Sequence, residues 1–210
     1  MSKSSTKTLK RSSAFTLIEL LVSMTISLAV LAAVAKTFTV QTRQNGAEEQ
    51  MAQMQQNVRG ALDLMVREIQ MAKYDPAGTA FPAGTYGVTY GASQLEVKSD
   101  VADGNGTIST ATGSVEDIIY AFDSTNLYIT RKLGSSGTAD ILADNVTSFT
   151  FAYYDSSGAA VTSAGNSGSI RKITITIAAR TAKPDPGYTS NGGYRTYQVS
   201  ADITPPNLAL

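Results

Sequence analysis

The sequence predicts an α+β protein: one long N-terminal α-helix, apolar in its first half and amphipathic in its second, packed on an antiparallel β-sheet head. Three observations predict it. From Phe15 to Ala35 the chain runs 21 residues with Glu19 as the sole ionisable side chain. From Met51 to Ala72 apolar residues recur at helical spacing within a polar run. Beyond residue 86 apolar and polar residues alternate between Gly, Ser and Asn turns.

The first element begins with a basic leader. Lys3, Lys7, Lys10 and Arg11 precede the apolar run, and no acidic residue accompanies them. A helix of 21 residues is about 31 Å long, which matches the hydrocarbon core of a bilayer. It exceeds the 7–15 residue apolar core of a secretory signal peptide. The positive-inside rule holds the leader in the cytoplasm, so the chain after Ala35 lies on the other side. Glu19 is the anomaly, because a carboxylate inside a bilayer costs roughly 2.5–3.5 kcal/mol on insertion scales. A plain single-span anchor has no use for it.

The stretch "A-FTLIELLVS", Ala14 to Ser23, closely resembles the type IV prepilin signature: a small residue, then Phe, then Thr-Leu-Ile-Glu-Leu. The resemblance implies that a prepilin peptidase cuts between Ala14 and Phe15 and N-methylates the new amino terminus of Phe15. Ala14 stands where most members carry Gly. Glu19 falls on the family's fifth-position glutamate. In a filament of stacked helices it would meet the charged amine of a neighbouring Phe15. Glu19 is then costly in lipid and satisfied in the polymer.

The second half of the helix carries Met51, Val58, Met65 and Ala72 every seven residues, with Met54, Leu62 and Ile69 between them. This is one apolar stripe on an otherwise charged helix, and it calls for a covering layer. Gly46 and Gly60 predict interruptions of the rod, and Asp75-Pro76 with Gly78 predicts its end. The segment from Gln55 to Pro76 also resembles a pattern of PilW-type minor pilins and of the related J-type pseudopilins of type II secretion. Arg59, Leu62, Leu64, Arg67, Glu68, Ile69, Met71 and Ala72 fall on it, and Lys73 replaces its usual Gly.

Five segments read as strands: "EDIIYAF", "NLYITRK", "VTSFTFAYYD", "IRKITITIAA" and "RTYQVSADI". Ile173, Ile175 and Ile177 share one face while Thr174 and Thr176 share the other, and Phe149, Phe151 and Tyr153 align likewise. One face buried on the helix and one in water is the antiparallel arrangement. Loops are predicted from Asp155 to Ser169 and from Pro184 to Gly193, the second exposed and mobile.

Composition narrows the function. The chain has 17 basic and 17 acidic residues, no Cys and no His. Net neutrality gives no electrostatic footprint for nucleic acid. Lack of Cys excludes disulfides, iron–sulfur clusters and thiol catalysis, and lack of His removes the commonest general base. No phosphate loop, nucleophile elbow or paired-carboxylate arrangement stands out, so an enzyme is not expected. The ten tyrosines are spread over strands and read as packing. "DVADGNGTIS", Asp100 to Ser109, superficially suggests calcium, but an EF-hand frame puts Val101 at position one and Thr112 at position twelve, and both ends fail. A looser calcium site remains, with Asp100, Asp103 and Asn105 joined by Glu116 or Asp117. A solvated turn is the simpler account of that loop.

Together these readings divide the chain into a cleaved leader (1–14), a transmembrane and assembly helix (15–36), its amphipathic continuation (37–76) and a β-rich, pilin-like head (77–210). The resemblance implies a structural minor subunit, anchored in the inner membrane with its head in the periplasm, that helps initiate or cap a type IV pilus. Its implied partners are the prepilin peptidase, other minor pilins and the major pilin, the inner-membrane assembly platform and membrane lipid. A minor pseudopilin of type II secretion is the alternative within that class. A displayed ligand-binding or adhesive head, resting on the loops at 155–169 and 184–193, is the alternative outside it.

Overall fold

The computed structural model describes residues 15–209. One α-helix, α1 (Leu17–Gln70), is followed by nine strands and three short 3-10 turns. The chain divides into two compact units, one ending at Ala47 and one running Glu48–Leu210. In the first unit, large apolar side chains from Phe15 to Val40 are exposed on every face of the helix, Leu17, Leu28, Leu31 and Phe38 among them. A helix apolar all round belongs in lipid or in a protein core. Its hydroxyls fit that setting. Ser23 donates to the Glu19 carbonyl at 2.7 Å, Ser27 to Ser23 at 2.7 Å, and Thr37 to Ala33 at 3.0 Å. Each polar side chain is thereby satisfied within the helix, as a dry medium requires.

In the second unit the helical stripe is buried. Met54, Val58, Ala61, Leu62, Met65, Ile69 and Ala72 all enter the core. Fully burying a side chain such as Met65 or Ile69 contributes roughly 1.5–3 kcal/mol. The layer covering it is two sheets rather than the one expected. Strands β1 (Val88–Thr89), β2 (Gln94–Lys98), β3 (Asp117–Asp123), β4 (Tyr128–Leu133) and β5 (Ala139–Ala143) form an antiparallel meander. Strands β6 (Val146–Tyr154), β7 (Ala160–Val161), β8 (Lys172–Arg180) and β9 (Thr196–Ile203) form a second antiparallel sheet in the order β7-β6-β8-β9. The break falls at Asp144-Asn145, where Asn145 takes φ +54° and so turns the chain out of the first sheet. Both sheets feed one core: Leu95, Tyr120 and Ile129 from the first, Phe149, Tyr153 and Ile175 from the second.

The alternation in β8 sets the register of the second sheet. Ile173, Ile175 and Ile177 are fully buried and oppose Tyr153, Phe151 and Phe149 of β6. Thr174 and Thr176 lie on the other face, where Thr174 donates to Asp202 at 2.6 Å and Thr176 meets Ser200 at 3.0 Å. A slip of one residue would put the isoleucines in water.

The helix departs from expectation twice. It runs through Gly46 and Gly60 without a break, at a cost of about 1 kcal/mol each relative to Ala. It also stops at Gln70, before the Asp75-Pro76 signal. Bonds from Met71 to Glu68 and from Ala72 to Ile69 tighten the last turn, and Lys73 then takes φ +59°. The Lys73 N–H donates at 2.8 Å to the Lys98 carbonyl on β2, tying the helix end to the first sheet. A left-handed C-terminal position is where glycine is favoured. That is the physical consequence of Lys73 standing where the similar pattern carries Gly. The loop from Pro184 to Gly193 is also more ordered in its contacts than expected. Asp185 is buried, binds the Arg195 guanidinium at 2.9 Å and accepts the Gly187 N–H at 2.8 Å.

Candidate functional site

Two places carry side chains whose chemistry the fold alone does not require. The first is the start of α1. Ala14 and the basic leader lie outside the described residues; Phe15 and Thr16 precede the helix, and Phe15 is exposed. The Glu19 carboxylate accepts the Thr16 N–H at 3.0 Å and the Thr16 hydroxyl at 2.9 Å, while the Glu19 N–H reaches that hydroxyl oxygen at 3.3 Å. This is a capping box, in which two orphan donors of the first turn are satisfied reciprocally. Sequence reasoning passed over it, although Thr-x-x-Glu before an apolar run is its signature. Glu19 therefore has a local partner within its own chain, in addition to whatever a neighbouring subunit supplies.

The second place is the loop between β2 and β3. Asp100, Asp103 and Glu116 each offer one carboxylate oxygen, and these oxygens lie within 4.8 Å of one another. Asp100 and Glu116 are buried and Asp103 is exposed. Asn105 sits on the same loop. Its side-chain oxygen accepts the Thr107 N–H at 2.8 Å, and its amide donates to Asp103 at 2.6 Å, so it is spent on its own turn. Asp117 is not one of the three clustered carboxylates, and it accepts the Ser135 hydroxyl. Glu116 accepts the Ala102 and Ser109 N–H groups at 3.1 and 2.8 Å, closing the loop on itself. Asp100 accepts the Gly106 N–H at 2.8 Å through Oδ2, whereas Oδ1 is buried with no donor among the described residues. An unsatisfied buried acceptor costs about 1–3 kcal/mol, more when charged. Gly106 is indispensable to this arrangement: it takes φ +80°, and a Cβ there would overlap the Thr79 hydroxyl.

A family model described as the prokaryotic N-terminal methylation motif matches residues 9–35. The N-terminal segment is prepilin-like. Among solved structures, a type IV-like pilin from Thermus thermophilus is similar over 73% of this chain and 97% of its own, at 14% identity and a TM-score of 0.43. No curated protein matches the chain in sequence. The matched motif spans the junction at Ala14 and Phe15, the capping box and the apolar half of α1, and stops where the helix becomes polar.

The head holds a further cluster that sequence reasoning missed. Glu68 of α1 receives the Arg131 guanidinium of β4, with Nε at 3.1 Å and Nη2 closer, and the Tyr120 hydroxyl of β3. Burial, and then the adjacent carboxylate, push the Tyr120 hydroxyl well above its ordinary value near 10. Glu68 is one of the residues on the PilW-type pattern, but its partners lie 63 and 52 positions away, beyond any local periodicity. The loops at 155–169 and 184–193 contribute nothing to the groove of about 690 Å³ lined by Gln50, Asn57, Tyr128, Ile141, Asp144 and Arg180.

Proposed function

We propose that the chain is a minor pilin-like structural subunit that helps initiate or cap a type IV pilus and performs no catalysis. The observation carrying this reading is the methylation motif at residues 9–35, set on a helix whose apolar half has no covered face. After cleavage between Ala14 and Phe15, the subunit rests in the inner membrane with its head in the periplasm. The span is favourable there except at Glu19. Docking beside another subunit lets the Glu19 carboxylate meet the methylated amine of a neighbouring Phe15, an amine that stays protonated below about pH 8. Assembly thus proceeds by exchange of lipid for like helices, with one charge pair to set the register. The partners follow from the same chemistry: the prepilin peptidase, other minor pilins, the major pilin and the inner-membrane platform that extracts subunits from lipid.

Stoichiometry tests the minor role. In sheared, purified filaments the chain is expected at a few copies per filament, by quantitative mass spectrometry against the bulk subunit. A count equal to the bulk subunit would make it the major pilin. Its absence from filaments, together with recovery among the components of a type II secretion system, would make it a pseudopilin instead.

A further inference from the structure

We propose that the loop from Asp100 to Glu116 is a calcium site, with Asp100, Asp103 and Glu116 as its carboxylate ligands; this stands independently of the assembly reading. Three carboxylates whose nearest oxygens lie within 4.8 Å repel one another unless protonated or bridged by a cation. None of the ion pairs among the described residues supplies a Lys or Arg to them. The buried Oδ1 of Asp100, unpartnered in a carboxylate that is wholly inaccessible, is a second and separate sign. A cation beside it would satisfy an oxygen that the loop's own N–H groups leave alone; Asp117, outside the three-carboxylate cluster, also buries an unpartnered Oδ1. Asp103, the exposed member, gives the ion its way in from solvent.

The donor set selects the ion. The chain has no His and no Cys, so soft and borderline metals lose their usual ligands. Ca²⁺ takes oxygens at about 2.3–2.6 Å, so opposed ligands stand roughly 4.6–5.2 Å apart. The cluster fits within that span. Mg²⁺ demands near-ideal octahedral order at about 2.0–2.1 Å and gives up its waters reluctantly, which suits it less to a cluster of carboxylates on an irregular loop. Backbone carbonyls of an irregular loop and water complete the 6–8 ligands that Ca²⁺ accepts. The loop is also tied to the exit of α1: the Asp100 N–H donates to the Tyr74 carbonyl at 2.8 Å, and the Thr79 hydroxyl to the Gly106 carbonyl at 3.1 Å. A bound ion would therefore fasten the helix exit to the first sheet.

The test uses the full chain in detergent, with melting followed by near-ultraviolet circular dichroism of its tyrosines. Adding CaCl₂ to about 10 mM is expected to raise the melting temperature by about 5–10 °C, given the affinities of extracellular calcium modules. MgCl₂ is expected to do little. Asp103→Ala, an exposed change, should fold normally and lose the shift. Asp100→Asn should also lose it, while melting no lower than the wild type without calcium, because one repelling charge is gone. A melting temperature unmoved by calcium would overturn the proposal. So would an equal shift with magnesium, or a calcium shift retained in Asp103→Ala.

Discussion

Glu19→Gln is expected to leave the chain inserted, cleaved and helical while its incorporation into filaments falls by about 100-fold or more. Glutamine preserves the capping box, because its side-chain oxygen can still accept the Thr16 N–H that Glu19 now holds at 3.0 Å. What it loses is the charge. Removing one partner of a buried ion pair costs about 3–5 kcal/mol, and each 1.4 kcal/mol is tenfold in a docking equilibrium. Glu19→Asp should recover part of the incorporation, since the charge remains on a shorter arm. Glu19→Ala removes charge and cap together, with the cap worth about 0.5–2 kcal/mol. Comparing membrane-bound and filament-bound protein across these variants separates the two roles of Glu19. If the Gln variant assembled like the wild type while the Ala variant did not, Glu19 would be a helix cap and nothing more.

Glu68→Ala is expected to be the most damaging polar change in the head. It strands the Arg131 guanidinium and the Tyr120 hydroxyl, of which Tyr120 is completely buried. The side chains of Glu68 and Arg131 retain some solvent access, 17% and 20%, so the loss should fall near the lower end for a buried pair, at about 3 kcal/mol. For a head of this size that lowers the melting temperature by about 6–12 °C. Adding Arg131→Met to Glu68→Ala should recover much of the loss, because an apolar side chain carries no stranded charge. The pH dependence has a definite sign. The Tyr120 hydroxyl titrates higher folded than unfolded, so its contribution is present below about pH 10 and is lost as pH rises beyond that value. A Glu68→Ala variant melting within 1 °C of the wild type would show that the cluster contributes nothing to stability.

Periodicity made part of this molecule legible from residues alone. The stripe from Met54 to Ala72 and the alternation of Ile173, Ile175 and Ile177 each report a one-sided burial, and one-sided burial imposes a period on sequence. The short strands carried less signal. In β5 the largest apolar side chain, Ile141, is exposed while Ala143 is buried, which inverts the pattern a reader seeks. The end of α1 was misplaced because nothing about a lysine announces a positive φ; Lys73 holds it through a bond to Lys98, 25 residues on. The acidic loop was legible as a candidate cluster. Sequence named Asp100, Asp103, Asn105 and Glu116 together; the fold places the three carboxylates close to one another, and the turn that Asn105 makes with Asp103 and Thr107 is not readable from spacing. The Glu68 cluster was invisible for the same reason: its members meet only after two strands and the helix are in place.

The intact mass of the chain purified from membranes tests cleavage at the junction between Ala14 and Phe15. The mature chain is expected to begin at Phe15 and to carry one added methyl group on its amine, located there by fragmentation of the first residues. A chain beginning downstream of Ala35 would overturn the assembly role of Glu19, because the apolar helix and Glu19 would then have been discarded as a secretion signal.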